Sequence, residues 1–440
     1  MEETIAAIAT ALGEGGLAVI RVSGPQALDV GDLVFRGKAK LKQVGTHTIH
    51  YGHVVRVNTV VDEVMVAVLK GPRSFTGEDT VEVSCHGGIL AAKLVLDACL
   101  AAGARLAQPG EFTRRAFLNG RIDLAQAEAV VDLIHSRTEL ALRAANEQLA
   151  GKLSQRINLL RDQLMVVLAH VEAHIDFPDE DISPDTREQL LGRLRGGLKF
   201  VDELLRTAPE GQILRRGIRA AIVGKPNAGK SSLLNQLLGR ERAIVSPTPG
   251  TTRDTIEETA NVRGIPVVFI DTAGLRESTD SIEQEGVRRS RAALEKAELI
   301  LHVVDAAEER EIPSVGEGKK VILVLNKCDL PARISGDGVR VSCATGQGIE
   351  ELKERIKALV WAGGVGGEMN DVMINSRHEE ALGRARDGLE HTIGALERGD
   401  SIELAAMDLR LAVKAIGEIV GKTTTDDLLD AIFSQFCLGK

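Results

Sequence analysis

The sequence predicts an α/β plus α protein, in which a mostly parallel α/β domain is inserted into a helical domain and an α+β domain comes first. Three observations predict it. Residues 217–360 alternate strand-like and helix-like segments, the pattern of a parallel sheet covered by helices. On both sides of that region apolar residues recur at helical spacing. The first 118 residues instead carry short runs rich in Val and Thr, as strands do. The expected domains are therefore residues 1–118, a helical domain of residues 119–215 with 368–440, and the inserted domain of residues 216–367.

Taken in order, strands are expected at residues 17–22, 47–57, 63–69 and 80–84, then a helix at 89–102 ended by Gly103. From Leu124 the period changes. Leu124, Ala127, Val131, Ile134, Leu142, Ala145 and Leu149 mark one face of a long amphipathic helix. A helical run over 156–175 is broken by Pro178 within an acidic cluster, and helix resumes over about 184–205. Strands are expected at 218–223, 267–270, 299–305, 321–326 and 339–342, and the Gly-rich run 361–367 reads as a linker. Beyond it, Ile402, Ala405, Leu409, Ala412, Ile416 and Ile419 share a stripe that needs an apolar partner. The helices before residue 206 can supply one, so the chain is expected to leave a helical domain and return to it.

Composition excludes several function classes. A chain of 440 residues holds two to four domains. One Trp, one Tyr and nine Phe are too few for a large base-stacking platform, so the cores must be built from Leu, Val, Ile and Ala. A net charge of −9 argues against general nucleic-acid binding. Arg114, Arg115 and Arg121 either form a local basic surface or lie on a mixed-charge face. The five cysteines are scattered and form no C-x-x-C pair, which fits a reducing cytoplasm and no zinc site. No apolar stretch reaches membrane-spanning length, and the start lacks a secretory pattern. A cytoplasmic protein is expected.

The chemistry begins at GKPNAGKS, residues 224–231, which has the form G-x-x-x-x-G-K-S. It follows an expected strand and opens an expected helix. In that setting backbone N–H groups wrap a polyphosphate, and the helix turns its positive end toward it. Asn227, Ala228, Gly229, Lys230, Ser231 and Ser232 are the candidate contacts, with Lys230 reaching the β- and γ-phosphates and Ser231 holding Mg²⁺. Two further motifs narrow the ligand. Asp271, Thr272, Ala273 and Gly274 follow a strand, where the Asp can hold Mg²⁺ through water and the Gly N–H can touch the γ-phosphate. Asn326, Lys327, Cys328 and Asp329 form N-K-x-D, whose carboxylate can accept two N–H bonds from guanine that adenine cannot make. Ser342, Cys343 and Ala344 follow the last strand and can support the guanine O6. Thr251 and Thr252, in GTTRD, lie where a Thr can close on Mg²⁺ when a γ-phosphate is present. Order and spacing together resemble a GTPase domain.

The hydrolytic residues are less marked. Many small GTPases carry Gln after D-x-x-G to orient the attacking water, and Leu275 stands there instead. Glu283 either positions that water or is a favourable charge in a first helical turn. Asn227 either ligates a monovalent cation beside the phosphates or only shapes the turn.

GKPNAGKS, GTTRD, DTAGLRE and NKCD, taken together, resemble the tRNA-modification GTPase family called MnmE or TrmE. So do IRVSGP at 20–25, SFTGEDTVEV at 74–83, PGEFTRRAFLNGRIDLAQAEAV at 109–130, IDFPDE at 175–180 and the terminal FCLGK. The resemblance spans essentially the whole chain. It implies an N-terminal folate-binding-like and dimerisation domain, a homodimer, and work with the flavin-dependent partner MnmG, also called GidA. It implies an aminomethyl-type (carboxymethylaminomethyl) group placed at C5 of the wobble uridine of tRNA, with 5-formyl- or methylene-tetrahydrofolate as carbon donor. The folate-contacting positions of the family fall on Arg21, Glu82, Arg121 and Lys440. Residues 246–252, from Ser246 through Pro247, Thr248, Pro249 and Gly250 to Thr251 and Thr252, join the GTP site. Asn227, Ser246, Thr248 and Thr251 would hold K⁺, Ser231 and Thr252 would hold Mg²⁺, and Glu283 would orient water. Cys437, beside Lys440, is either a nucleophile or a small structural thiol. The rival reading is a regulatory or ribosome-assembly GTPase without modification chemistry, against which the long N-terminal α/β region argues.

Overall fold

The structure is a computed structural model that describes residues 3–176, 184–239, 257–270, 294–308, 319–331, 333, 337–361, 374–437 and 439–440. The chain forms two compact units, residues 1–131 with 417–440, and residues 132–416.

The first unit opens with β1 (Ile5–Ile8), β2 (Gly15–Ser23), α1 (Ala27–Val34), β3 (Phe35–Gly37), β4 (Thr48–Arg56), β5 (Thr59–Leu69) and β6 (Thr80–Gly87). Then follow α2 (Ile89–Ala101), β7 (Arg105–Leu106), α3 (Glu111–Leu118) and the start of α4 (Leu124–His135). Its seven strands lie in the order β3-β4-β5-β6-β2-β1-β7. All neighbours are antiparallel except β1 and β7. Alternation along the strands puts Val64, Val66, Val68, Val81, Val83, Ile20 and Val22 on one face, where they pack with Ala27, Val30, Val34, Ala92, Val95 and Cys99 of α1 and α2. Burial there pushes the Cys99 thiol up to about 12.

The second unit contains α5 (Glu139–Leu149), α6 (Lys152–Asp176), α7 (Pro184–Arg216), β8 (Ile218–Val223), α8 (Lys230–Leu238), β9 (Glu258–Val262) and β10 (Ile265–Phe269). It continues with β11 (Leu299–Asp305), β12 (Lys320–Asn326), β13 (Val339–Arg340), α9 (Ile349–Val360), α10 (Ser376–Arg398) and most of α11 (Ile402–Ile419). Six strands form a sheet in the order β13-β12-β11-β8-β10-β9. Only the β9–β10 hairpin is antiparallel among them. The mostly parallel sheet inferred from the sequence is therefore present. Its central strand β11 is buried on both faces, as a near-continuous apolar run requires. One face packs on Leu233, Leu237, Leu352 and Ile356 of α8 and α9, the other on Ala297. In the helical part, α10 and α11 cross closely at Gly388, where a Cβ would come within 2.9 Å of the Asp408 carbonyl.

Residues 417–440 complete the first unit with α12 (Asp426–Phe433). Leu429, Ile432, Phe433 and Phe436 pack on Leu124 and Ala127 of α4.

Three details differ from the sequence expectation. The stripe from Leu124 to Leu149 is two helices, because the Thr138 hydroxyl accepts the Ala141 N–H and caps a new one. The second helix after it runs past residue 205 to Arg216 with Pro209 inside it, and the Thr207 hydroxyl donates to the Leu204 carbonyl one turn before that proline. The strands expected at 47–57 and 63–69 are one tight hairpin, turned at Val57 and Asn58 with φ of 47° and 64°.

Candidate functional site

Three of the nucleotide motifs, residues 224–231, 326–329 and 342–344, meet at the C-terminal ends of the parallel strands, where open α/β sheets place ligands. Residues 224–229 connect β8 to α8, and their turn depends on residues that tolerate positive φ. Gly224, Asn227 and Gly229 have φ of 152°, 63° and 93°. Asn227 thus shapes the turn, and its side chain is exposed. Gly229 is the N-cap of α8, whose first turn holds Lys230, Ser231 and Ser232. The Lys230 ammonium donates to the Lys225 carbonyl at 2.8 Å. Burial lowers its pKa, and no carboxylate among the described residues pairs with it. A half-buried cation at a helix N-terminus is the electrostatic condition for holding phosphate.

Asn326 joins three motif segments. Its Nδ2 donates to the Ala228 carbonyl at 2.8 Å, and its Oδ1 accepts the Cys343 N–H at 3.2 Å. It is nearly fully buried, so it braces the phosphate loop against the segment Ser342, Cys343 and Ala344. Gln236 of α8 supports that segment from below, donating to the Cys343 carbonyl at 2.7 Å. Burial pushes the Cys343 thiol up to about 11, which makes it a poor nucleophile at neutral pH. Asp329 is exposed in the turn closed by the Leu330 N–H on the Lys327 carbonyl at 3.0 Å. Its carboxylate is therefore accessible to a base.

Ser246, Pro247, Thr248, Pro249, Gly250, Thr251, Thr252, Asp271, Thr272, Ala273, Gly274 and Glu283 lie outside the described residues.

In the first unit a second group of expected residues comes together. Arg21 on β2 and Glu82 on β6 face each other in register, with the Arg21 Nε 2.8 Å from Glu82 Oε1. The Phe75 ring lies 5.3 Å from the Arg21 guanidinium and 5.4 Å from that of Arg121, and Arg121 also donates to the Phe75 carbonyl. Lys440 lies within electrostatic reach of Arg21, Glu82 and Cys437. Its pKa is lowered first by burial, then by Arg21, against an upward pull from Glu82 and Cys437. The tail is seated by Gly439, whose φ of 89° and contact with the Ile8 carbonyl leave no space for a Cβ. The residues fit an acidic ligand. Arg21 Nη1 is buried without a hydrogen-bond partner, and Lys440 is a second, half-buried cation whose pKa burial and Arg21 lower. Cys437 is exposed beside this cluster.

Two of these supports were not marked from the sequence. Gln236 stands outside the nucleotide motifs, and Phe75, though inside SFTGEDTVEV, was not marked as a site residue.

Comparison with known proteins gives the family. A family model described as "MnmE helical domain" matches residues 124–437, and one described as "GTP-binding protein TrmE N-terminus" matches residues 4–121. A protein of Thermoanaerobacter pseudethanolicus named tRNA modification GTPase MnmE is 46% identical over 100% of this chain and 99% of its own. One of the same name from Bacillus subtilis is 45% identical over 100% of both. Among solved structures, the G domain of the T. maritima FeoB iron transporter matches 32% of this chain and 98% of its own at 27% identity, with a TM-score of only 0.23. Full-length identity and two family models that together span nearly the whole sequence place this chain in the MnmE (TrmE) family.

Proposed function

We propose that this chain is a cytoplasmic GTP hydrolase that takes part in tRNA modification. With a flavin-dependent partner of the MnmG (GidA) type, it adds an aminomethyl-type group, carboxymethylaminomethyl, at C5 of the wobble uridine. The observation that carries the nucleotide half is the Asn326 bridge, which makes the phosphate loop and the base loops one site. The relatives' names, tRNA modification GTPase, support the tRNA half. No helix among the described residues is long and apolar enough to cross a membrane.

In this reading the α8 N-terminus and Lys230 hold the phosphates, Asp329 selects guanine, and Ser231 with Thr252 holds Mg²⁺. Asn227, Ser246, Thr248 and Thr251 hold K⁺, whose charge offsets that developing between the phosphates. Glu283 orients water where Leu275 cannot. Arg21, Glu82, Arg121 and Lys440 hold 5-formyl- or methylene-tetrahydrofolate, with the carboxylate of Glu82 toward pterin N–H groups and the cations toward the glutamate tail. A homodimer lets two nucleotide domains meet as the switch. The tetrahydrofolate supplies the one-carbon unit, and Cys437 stands at the edge of that site.

One reconstituted reaction tests this. With tRNA, GTP, a tetrahydrofolate and the flavoprotein, modified uridine should form in potassium and GTP hydrolysis should slow at least about tenfold in sodium. Equal hydrolysis in both salts removes the cation role. Modification by this chain without the flavoprotein removes the partner.

A further inference from the structure

β11 and β12 run parallel with Asp305 opposite Asn326 in register. The next residue, Lys327, turns in the left-handed region at φ 63°, which a lysine adopts only at a cost. Its ammonium reaches back across the neighbouring strand to lie 2.6 Å from Asp305 Oδ2, and the Asp305 side chain is only 11% exposed. The other carboxylate oxygen accepts the Ala307 N–H at 3.0 Å. Backbone bonds tie the same segments together. The Ala306 N–H donates to the Asn326 carbonyl at 2.9 Å and the Arg333 N–H to the Ala306 carbonyl at 2.8 Å. The base-recognition loop is therefore gripped from β11 through one side-chain pair and two backbone bonds.

We infer that Asp305 is a positioning residue for the guanine nucleotide. It takes up the charge of Lys327 and fixes its four-carbon stem, so that the lysine offers apolar length to the nucleotide rather than a free cation. A lysine already tethered loses less rotamer freedom when a ligand closes on it. The pairing has a second effect on the same loop. Lys327 held by Asp305 is not available to neutralise Asp329, whose carboxylate stays a full-strength acceptor for the base. The inference rests on the guanine-nucleotide reading above and adds to it a residue outside the N-K-x-D motif.

Asp305→Asn removes the charge and keeps an acceptor for the Ala307 N–H. Binding of fluorescent GDP and of a non-hydrolysable GTP analogue to the full-length protein is the measurement. Both affinities should fall about tenfold and equally, because the base is common to the two nucleotides, and the steady-state loss should lie in KM rather than kcat. Asp305→Glu should restore affinity to within about threefold. In a Lys327→Ala background, Asp305→Asn should cost less than about twofold, since no stem remains to be placed. Unchanged affinity overturns the inference, and so does an equal loss in both backgrounds, which would make Asp305 a brace for the turn alone. If Asp305→Asn does not fold, Asp305→Ser takes its place in the same cycle. Wild-type protein that binds ATP as well as GTP would sink the guanine reading itself. Guanine selectivity without coupling between Asp305 and Lys327 sinks this inference only.

Discussion

Gly229→Ala should abolish nucleotide binding. Gly229 sits at φ 93° at the start of α8, a conformation that alanine adopts only under strain. A Cβ there would overlap Asn326 Nδ2. Asn326 has nowhere to retreat, because Nδ2 is bonded to the Ala228 carbonyl and Oδ1 to the Cys343 N–H. The substitution therefore displaces the phosphate loop or breaks the bridge to both base-recognition segments, leaving buried polar atoms unpaired. A loss of at least about 100-fold in affinity for both GDP and GTP is expected. Titration with fluorescent nucleotide reads it, and a thermal melt of the nucleotide-free protein shows that the fold survives. Binding within about threefold of wild type would contradict this reading of the site.

Asp329→Asn should turn the protein away from GTP. A carboxylate accepts from both the N1–H and the 2-amino group of guanine, whereas a carboxamide offers one acceptor and one donor. The donor then faces an N–H and neither group is satisfied. Affinity for GTP should fall by about 100-fold or more, while xanthosine triphosphate, with a carbonyl in place of the amino group, should gain. Competition between the two nucleotides measures the change. Asp329 is exposed and the turn around it is held by Lys327 and Leu330 backbone atoms, so the fold should not report on the substitution. Unchanged selectivity would refute the assignment of guanine.

Much of this was legible in the sequence, and for identifiable reasons. A parallel sheet buried on both faces writes long apolar runs, so β8, β11 and β12 stood out. The phosphate loop was legible because backbone wrapping of an anion needs glycines at fixed spacing. Other features left no periodic trace. Val57 adopts a conformation disfavoured for a β-branched residue, so beyond Asn58 nothing local announced that β4 turns directly into β5. The two-residue strand β7 is too short to show alternation. Thr138 reads as one polar residue on a long helical stripe until its hydroxyl is seen to start a new helix. At both sites the candidate residues were evident, but their supports were not. Gln236, Asp305 and Phe75 act from other elements, tens to more than a hundred residues away from the groups that they hold, and only the fold brings them near. The Gly439 at the tail shows the same limit. Its spacing beside Lys440 was visible, whereas its reason, contact with the Ile8 carbonyl, depends on how the C-terminal segment returns to β1.

The proposed function joins a guanine-nucleotide site and an acid-binding cluster with an exposed Cys437 in one reaction on tRNA. Nucleoside mass spectrometry of tRNA from cells lacking the protein tests it most directly. The carboxymethylaminomethyl-type modification of wobble uridine should disappear, and return when the intact chain is restored but not when the Gly229→Ala chain is. A wobble uridine that carries its modification unchanged in cells without the protein would contradict the claim.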